Sequence, residues 1–89
     1  MYLFLGGDVS VWENDVIGVF DMDNTTQSKW TVRYLNMAEK EGRLVNISDD
    51  IPKSFIICKD GEKETVYLSQ LAPSTLLKRS TQSIYDMIG

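Results

Sequence analysis

The residues with the most chemical potential follow the apolar run Val16-Ile17-Gly18-Val19-Phe20, where the chain continues Asp21-Met22-Asp23-Asn24-Thr25. Two carboxylates separated by one residue, at the end of an apolar strand, are candidates for binding a hard cation. Composition closes the other routes to catalysis. The chain has no histidine, so neither a Ser-His nor a Cys-His pair exists. Its single cysteine, Cys58, sits inside the apolar run Phe55-Ile56-Ile57-Cys58, where a thiol is a small core residue. There is no Cys/His cluster for zinc. Gly6-Gly7 lacks the following helix and lysine of a phosphate loop. Asp49-Asp50 lacks the spacing of a calcium loop and reads as solvated loop acids. No cofactor is expected.

The Asp-x-Asp segment resembles the first motif of the haloacid dehalogenase phosphatases, over this one short stretch. That resemblance implies that Asp21 attacks phosphorus and Asp23 acts as general acid with Mg²⁺ held nearby, and it implies a parallel doubly wound sheet, a second strand ending in Ser or Thr, a later lysine and a distant acidic pair. A chain of 89 residues does not hold such a fold. The plainer reading is a strand end whose Asp, Asn and Thr residues cap the helix that follows. Phosphatase-like use of Asp21 and Asp23 is therefore the weakest functional reading, and the chain is expected to bind rather than catalyse.

The stronger candidate is cationic. Lys29, Arg33, Asn36 and Lys40 recur at spacings of four, three and four, which is one stripe of a helix. Lys53, Lys78 and Arg79 are further cations able to join that stripe in space. Long cationic side chains on one helical face neutralise nucleic-acid phosphates. The plain alternative is a solvated helix face.

These residues need elements to hold them. Tyr2 to Leu5 reads as a strand closed by Gly6-Gly7-Asp8, and Val9 to Glu13 as a second strand. Asn14-Asp15 serves as a two-residue hairpin turn into the buried strand at Val16. From about Gln27 to Glu41 the period becomes helical, with Trp30, Tyr34, Met37 and Ala38 on the apolar stripe and Leu35 beside it. Gly42 stands where a helix ends. Arg43 to Ile47 is a short strand. Phe55 to Cys58 and Glu64 to Leu68 flank Asp60-Gly61, a hairpin signal of type I′. Pro73 opens a short helix over 73–79. The expected fold is α+β, a mainly antiparallel sheet of five to six strands with the long helix, residues 27–41, on one face. Residues 1–80 form one domain and residues 81–89 a tail.

Net charge is −4 and the sequence pI about 4.6, with 43% hydrophobic and 25% charged residues, the balance of a globular chain. The charge is unevenly spread. Residues 1–24 carry five acids and no base, while residues 25–47 sum to +2. An acidic quarter beside a basic middle suggests a head-to-tail contact between copies, and one basic face on an acidic protein. No apolar run approaches the ~20 residues of a membrane helix, and the short apolar start lacks the flanks of a signal peptide. With one cysteine, no internal disulfide forms, in keeping with a reducing cytoplasm.

Taken in order, several segments resemble the RemA/RemB extracellular matrix regulators of Gram-positive bacteria, the RemB members above all. These are Met1-Tyr2-Leu3-Phe4-Leu5-Gly6-Gly7-Asp8, Val16-Ile17-Gly18-Val19-Phe20-Asp21, Ile51-Pro52-Lys53-Ser54, and Tyr67-Leu68-Ser69 leading to Ser74-Thr75-Leu76-Leu77-Lys78-Arg79. The resemblance spans roughly residues 1–80 and contains no catalytic signature. It implies a small α+β fold assembled into rings. For the RemA branch it implies a DNA-binding activator of biofilm matrix genes that contacts DNA through arginines. Arg33 and Arg79 match that pattern. The arginine pair of RemA-type chains is missing, since the loop here reads Asp49-Asp50-Ile51-Pro52-Lys53, and Glu13-Asn14-Asp15 stands where a base is expected. Fewer cations weaken DNA binding steeply.

The sequence thus points to a cytoplasmic homo-oligomeric regulator with Lys29, Arg33, Lys53 and Arg79 as nucleic-acid contacts. Its expected partners are duplex DNA and a RemA-type protein. The alternative is a protein-interaction or scaffold module that ignores DNA.

Overall fold

The structure, a computed structural model, describes residues 2–22, 28–76 and 78. Its elements are β1 (Tyr2–Gly6), β2 (Val9–Trp12), a 3-10 turn (Glu13–Asp15), β3 (Val16–Asp21), α1 (Lys29–Lys40), β4 (Leu44–Asn46), β5 (Ser54–Asp60) and β6 (Lys63–Ser69). Residues 73–76 are helical, as the start of the short helix expected over 73–79; residues 77 and 79 lie outside the described residues. So does the tail at 81–89.

The class is α+β, but the strands do not form one sheet of five to six. They form two: a β1–β2 hairpin and a four-stranded sheet in the order β3-β5-β6-β4. The expected β2–β3 hairpin is absent, because Glu13–Asp15 winds into a 3-10 turn that carries the chain from one sheet to the other. β2 pairs antiparallel with β1, and β3 pairs antiparallel with β5. The larger sheet is also mixed. β5 and β6 are antiparallel, whereas β4 runs parallel to β6, from Leu44↔Val66 to Asn46↔Leu68. β3 and β4 occupy opposite edges, so the connection through α1 must cross the whole sheet, and that lays the helix on one face.

The three layers follow from the alternation of β5. Ile56 and Cys58 point to the hairpin, where they pack with Leu3, Leu5, Val11 and Leu76. Phe55 and Ile57 point to the helix, where they pack with Ala38 and Val66. A strand covered on both faces needs apolar residues at every position, which is why this segment reads as an unbroken run. Burying each large side chain here contributes about 1.5–3 kcal/mol. The hairpin can bury only one face. Leu3, Leu5 and Val11 turn inward, leaving Tyr2 68%, Phe4 40% and Trp12 41% exposed.

Two turns are set by glycine. α1 closes in a Schellman motif: Gly42, at φ +73°, donates to Glu39 O at 3.1 Å, and Arg43 N–H donates to Ala38 O at 2.8 Å. The β5–β6 turn lies one residue later than expected, since Asp60 pairs with Lys63 and Gly61-Glu62 form the loop. Only Gly61 has positive φ there, +64°, a sign pattern that belongs to type II′ rather than I′.

Candidate nucleic-acid interface

The basic stripe depends on how α1 docks. Its buried residues are Thr31 and Ala38, with Tyr34 and Leu35 half-buried. Trp30 and Met37, expected on the buried stripe, are 63% and 50% exposed. Tyr34 and Ala38, also expected there, do face the sheet, so the contact face is rotated only part of a turn, away from Trp30 and Met37 and toward Thr31 and Leu35. Small residues explain this, because Thr31 and Ala38 let the backbone approach the sheet more closely than Trp30 and Met37 would allow. The opposite face then carries Lys29, Arg33, Asn36 and Lys40, all exposed.

Lys29 and Arg33 stand one turn apart, with their Cβ atoms about 5–6 Å from each other. Neither has an ion-pair partner among the described residues. Lys53 comes from the loop before β5. Its backbone is fixed at the end of the sheet, where its N–H donates to Ser69 O at 2.8 Å and its carbonyl accepts Met22 N–H at 3.0 Å; its side chain is exposed. Lys78 is exposed, and Arg79 lies outside the described residues. Two of the four expected contacts, Lys29 and Arg33, therefore share one helical face, while Lys53 belongs to the sheet end.

Arg43, another cation of the basic middle, is already engaged. Its guanidinium contacts Glu41 at 2.9 Å and Glu64 at 3.1 Å, and sits 5.9 Å from the centre of the Tyr34 ring. Glu41 first, and the Tyr34 hydroxyl second, push its pKa further above the ordinary value. Tyr34 donates its hydroxyl to the same Glu64 at 2.7 Å. Burial, reinforced by Glu64, raises the Tyr34 pKa. Exposed Trp30 stacks on Tyr34 with ring centres 5.5 Å apart and planes 6° from parallel. The sequence showed Trp30 and Tyr34 at helical spacing but not that the outer ring faces solvent beside Lys29 and Arg33. A solvent-facing aromatic among unpaired cations is a surface that phosphates and bases can both engage.

Of the two carboxylates Asp21 and Asp23, only Asp21 is among the described residues. Asp21 ends β3, half-buried, and pairs in register with Ser54 of antiparallel β5. Asp23 lies outside the described residues. Among the described residues, no group of three or more acids, cysteines or histidines is placed to hold a metal ion. No helix among them is long and apolar enough to cross a membrane.

A family model described as RemA-like, extracellular matrix regulatory protein A-like, matches residues 3–79. The matched span takes in both sheets, α1 and the helical turn at 73–76. Among curated proteins, none matches the chain.

Proposed function

The chain belongs to the RemA-like family, and from that premise we propose that it is a cytoplasmic, ring-forming homo-oligomeric regulator of extracellular matrix genes, of the RemB branch, and not an enzyme. In this reading it contacts duplex DNA through Lys29, Arg33, Lys53 and Arg79. The observation that carries the proposal is the pair Lys29 and Arg33, exposed, one turn apart and without an acidic partner among the described residues. One such pair binds DNA weakly, and a ring repeats it once per subunit, so that the phosphate contacts add along the duplex.

Changing Lys29 and Arg33 to Gln tests this. The slope of log affinity against log salt shrinks by about 0.9 for each phosphate contact removed. An unchanged slope would remove both residues from the interface. A second reading, binding of a RemA-type or other protein, is favoured by the exposed aromatics Tyr2, Trp12 and Trp30. It predicts that the wild-type assembly ignores duplex DNA even at low salt.

A further inference from the structure

Opposite the helix the molecule has a second feature that the DNA reading does not use. β5 and β6 are seven residues long, whereas the hairpin strands covering them have five and four. The hairpin runs out before the sheet does. Where it stops there is a cleft of about 400 Å³, lined by Tyr2, Trp12 and Tyr67 together with Asp15, Asp60 and Lys63. That volume falls within the ~300–1,000 Å³ of small-ligand sites.

The lining has a definite chemistry. The Tyr2 and Trp12 rings meet edge to face, their centres 4.9 Å apart and their planes at 74°, which makes an aromatic corner. Tyr67 adds a third ring from β6, on the same side as Cys58 and Thr65 by register. Asp15 arrives from the 3-10 turn and Asp60 from the end of β5. Among the described residues, neither carboxylate is held by an ion pair or a side-chain hydrogen bond, and Lys63, directly across from Asp60, is likewise unpaired. Aromatic faces and carboxylates both attract positive charge. An anion entering here would meet two carboxylates and one ammonium.

We propose that this cleft binds an organic cation of the guanidinium class, stacked in the Tyr2–Trp12 corner and paired with Asp15 and Asp60. A guanidinium suits the walls better than an ammonium, because it is flat enough to lie on a ring and forked enough to meet a carboxylate through two N–H groups. Lys63 opposes the cation and sets a ceiling on affinity. The site is independent of the DNA reading, since none of the proposed DNA contacts lines it.

The test uses the full chain with Trp30→Phe, which leaves Trp12 as the only tryptophan. Trp12 emission is followed while N-acetyl-arginine amide is added, and in parallel its neutral isostere N-acetyl-citrulline amide. The arginine compound gives a saturable change and the citrulline compound none. Asp15→Asn raises the half-saturating concentration about tenfold, the worth of one charge-assisted hydrogen bond. Lys63→Gln lowers it, a gain that a merely structural lysine would not produce. Asp60→Asn repeats the first test should Asp15→Asn fail to fold by circular dichroism. Tighter binding of a Gly-Arg-Gly peptide than of the amide assigns the cation to a partner chain's side chain, and equal binding assigns it to a free small molecule. No saturable response to any arginine probe, or equal responses to arginine and citrulline, overturns the proposal.

Discussion

Ser69→Ala is the substitution from which the three-layer account predicts most. Ser69 is completely buried at the end of β6. Its hydroxyl donates to the Leu5 carbonyl of β1 and accepts the Leu71 N–H at 3.0 Å. Leu5 needs that donor, because it falls within the register shift between Phe4 and Gly6, where β1 has no partner residue in β2. Ser69 therefore joins the hairpin layer to the sheet and fixes the segment that leads to residues 73–76. Alanine leaves a buried carbonyl and an N–H without their partner, at about 1–3 kcal/mol each, so the whole loss is about 2–6 kcal/mol. For a domain of this size each kcal/mol lowers Tm by about 4–8 °C, and a fall of at least about 8 °C is expected. In denaturant the midpoint drops while the slope holds, since the surface exposed on unfolding is unchanged. Amide exchange accelerates first in β1. A loss below about 0.5 kcal/mol, or exchange that quickens evenly over both sheets, would refute the idea that this hydroxyl clasps the layers together.

Two further expectations rest on β3 and β5. Cys58 has its pKa pushed from 9.0 up to about 11, by burial and secondarily by Asp15, so at pH 8 its thiolate is about 100-fold rarer than in the unfolded chain. Alkylation should be slower in the folded protein by at least that factor, and equal rates would mean that the strand opens. The same shift has a stability consequence. The folded state holds the proton more tightly, so its contribution is full below pH 9 and is lost as pH rises towards about 11. At Gly18, an added Cβ would lie 2.8 Å from the Phe20 ring, which is stacked on Phe55 at 4.9 Å. Gly18→Ala should cost about 1–3 kcal/mol by thermal unfolding; an unchanged Tm would show that the ring swings aside freely.

Local signals in the sequence were legible where one residue type fixes the backbone. Gly42 ends α1 as its position implies, and a glycine turn does join β5 to β6. The turn moved by one residue because Asp60 still has a cross-strand partner in Lys63, which leaves Gly61 at the first loop position. The unbroken run at 55–58 reads as one arm of the Asp60-Gly61 hairpin, but such a run does not say what covers each face. The division into two sheets turned on Glu13–Asp15, whose Asn-Asp pair suits a hairpin as well as a 3-10 turn. On α1, Ala38 and Tyr34 lie on the contact face as their spacing implies, while Trp30 and Met37 do not, because hydrophobicity alone favours the large side chains whereas close packing against the sheet favours Thr31 and Ala38. Cation spacing on α1 was readable from period alone. The pairing of Arg43 with Glu41 and Glu64 was not, because Glu64 comes from β6.

The most direct test of the central claim is the mass in solution by light scattering, at low and moderate salt, with and without duplex DNA. The account predicts an assembly of several subunits that gains mass with DNA at low salt and loses that gain as salt rises. A monomer at both salts, with no change on adding DNA, would contradict it.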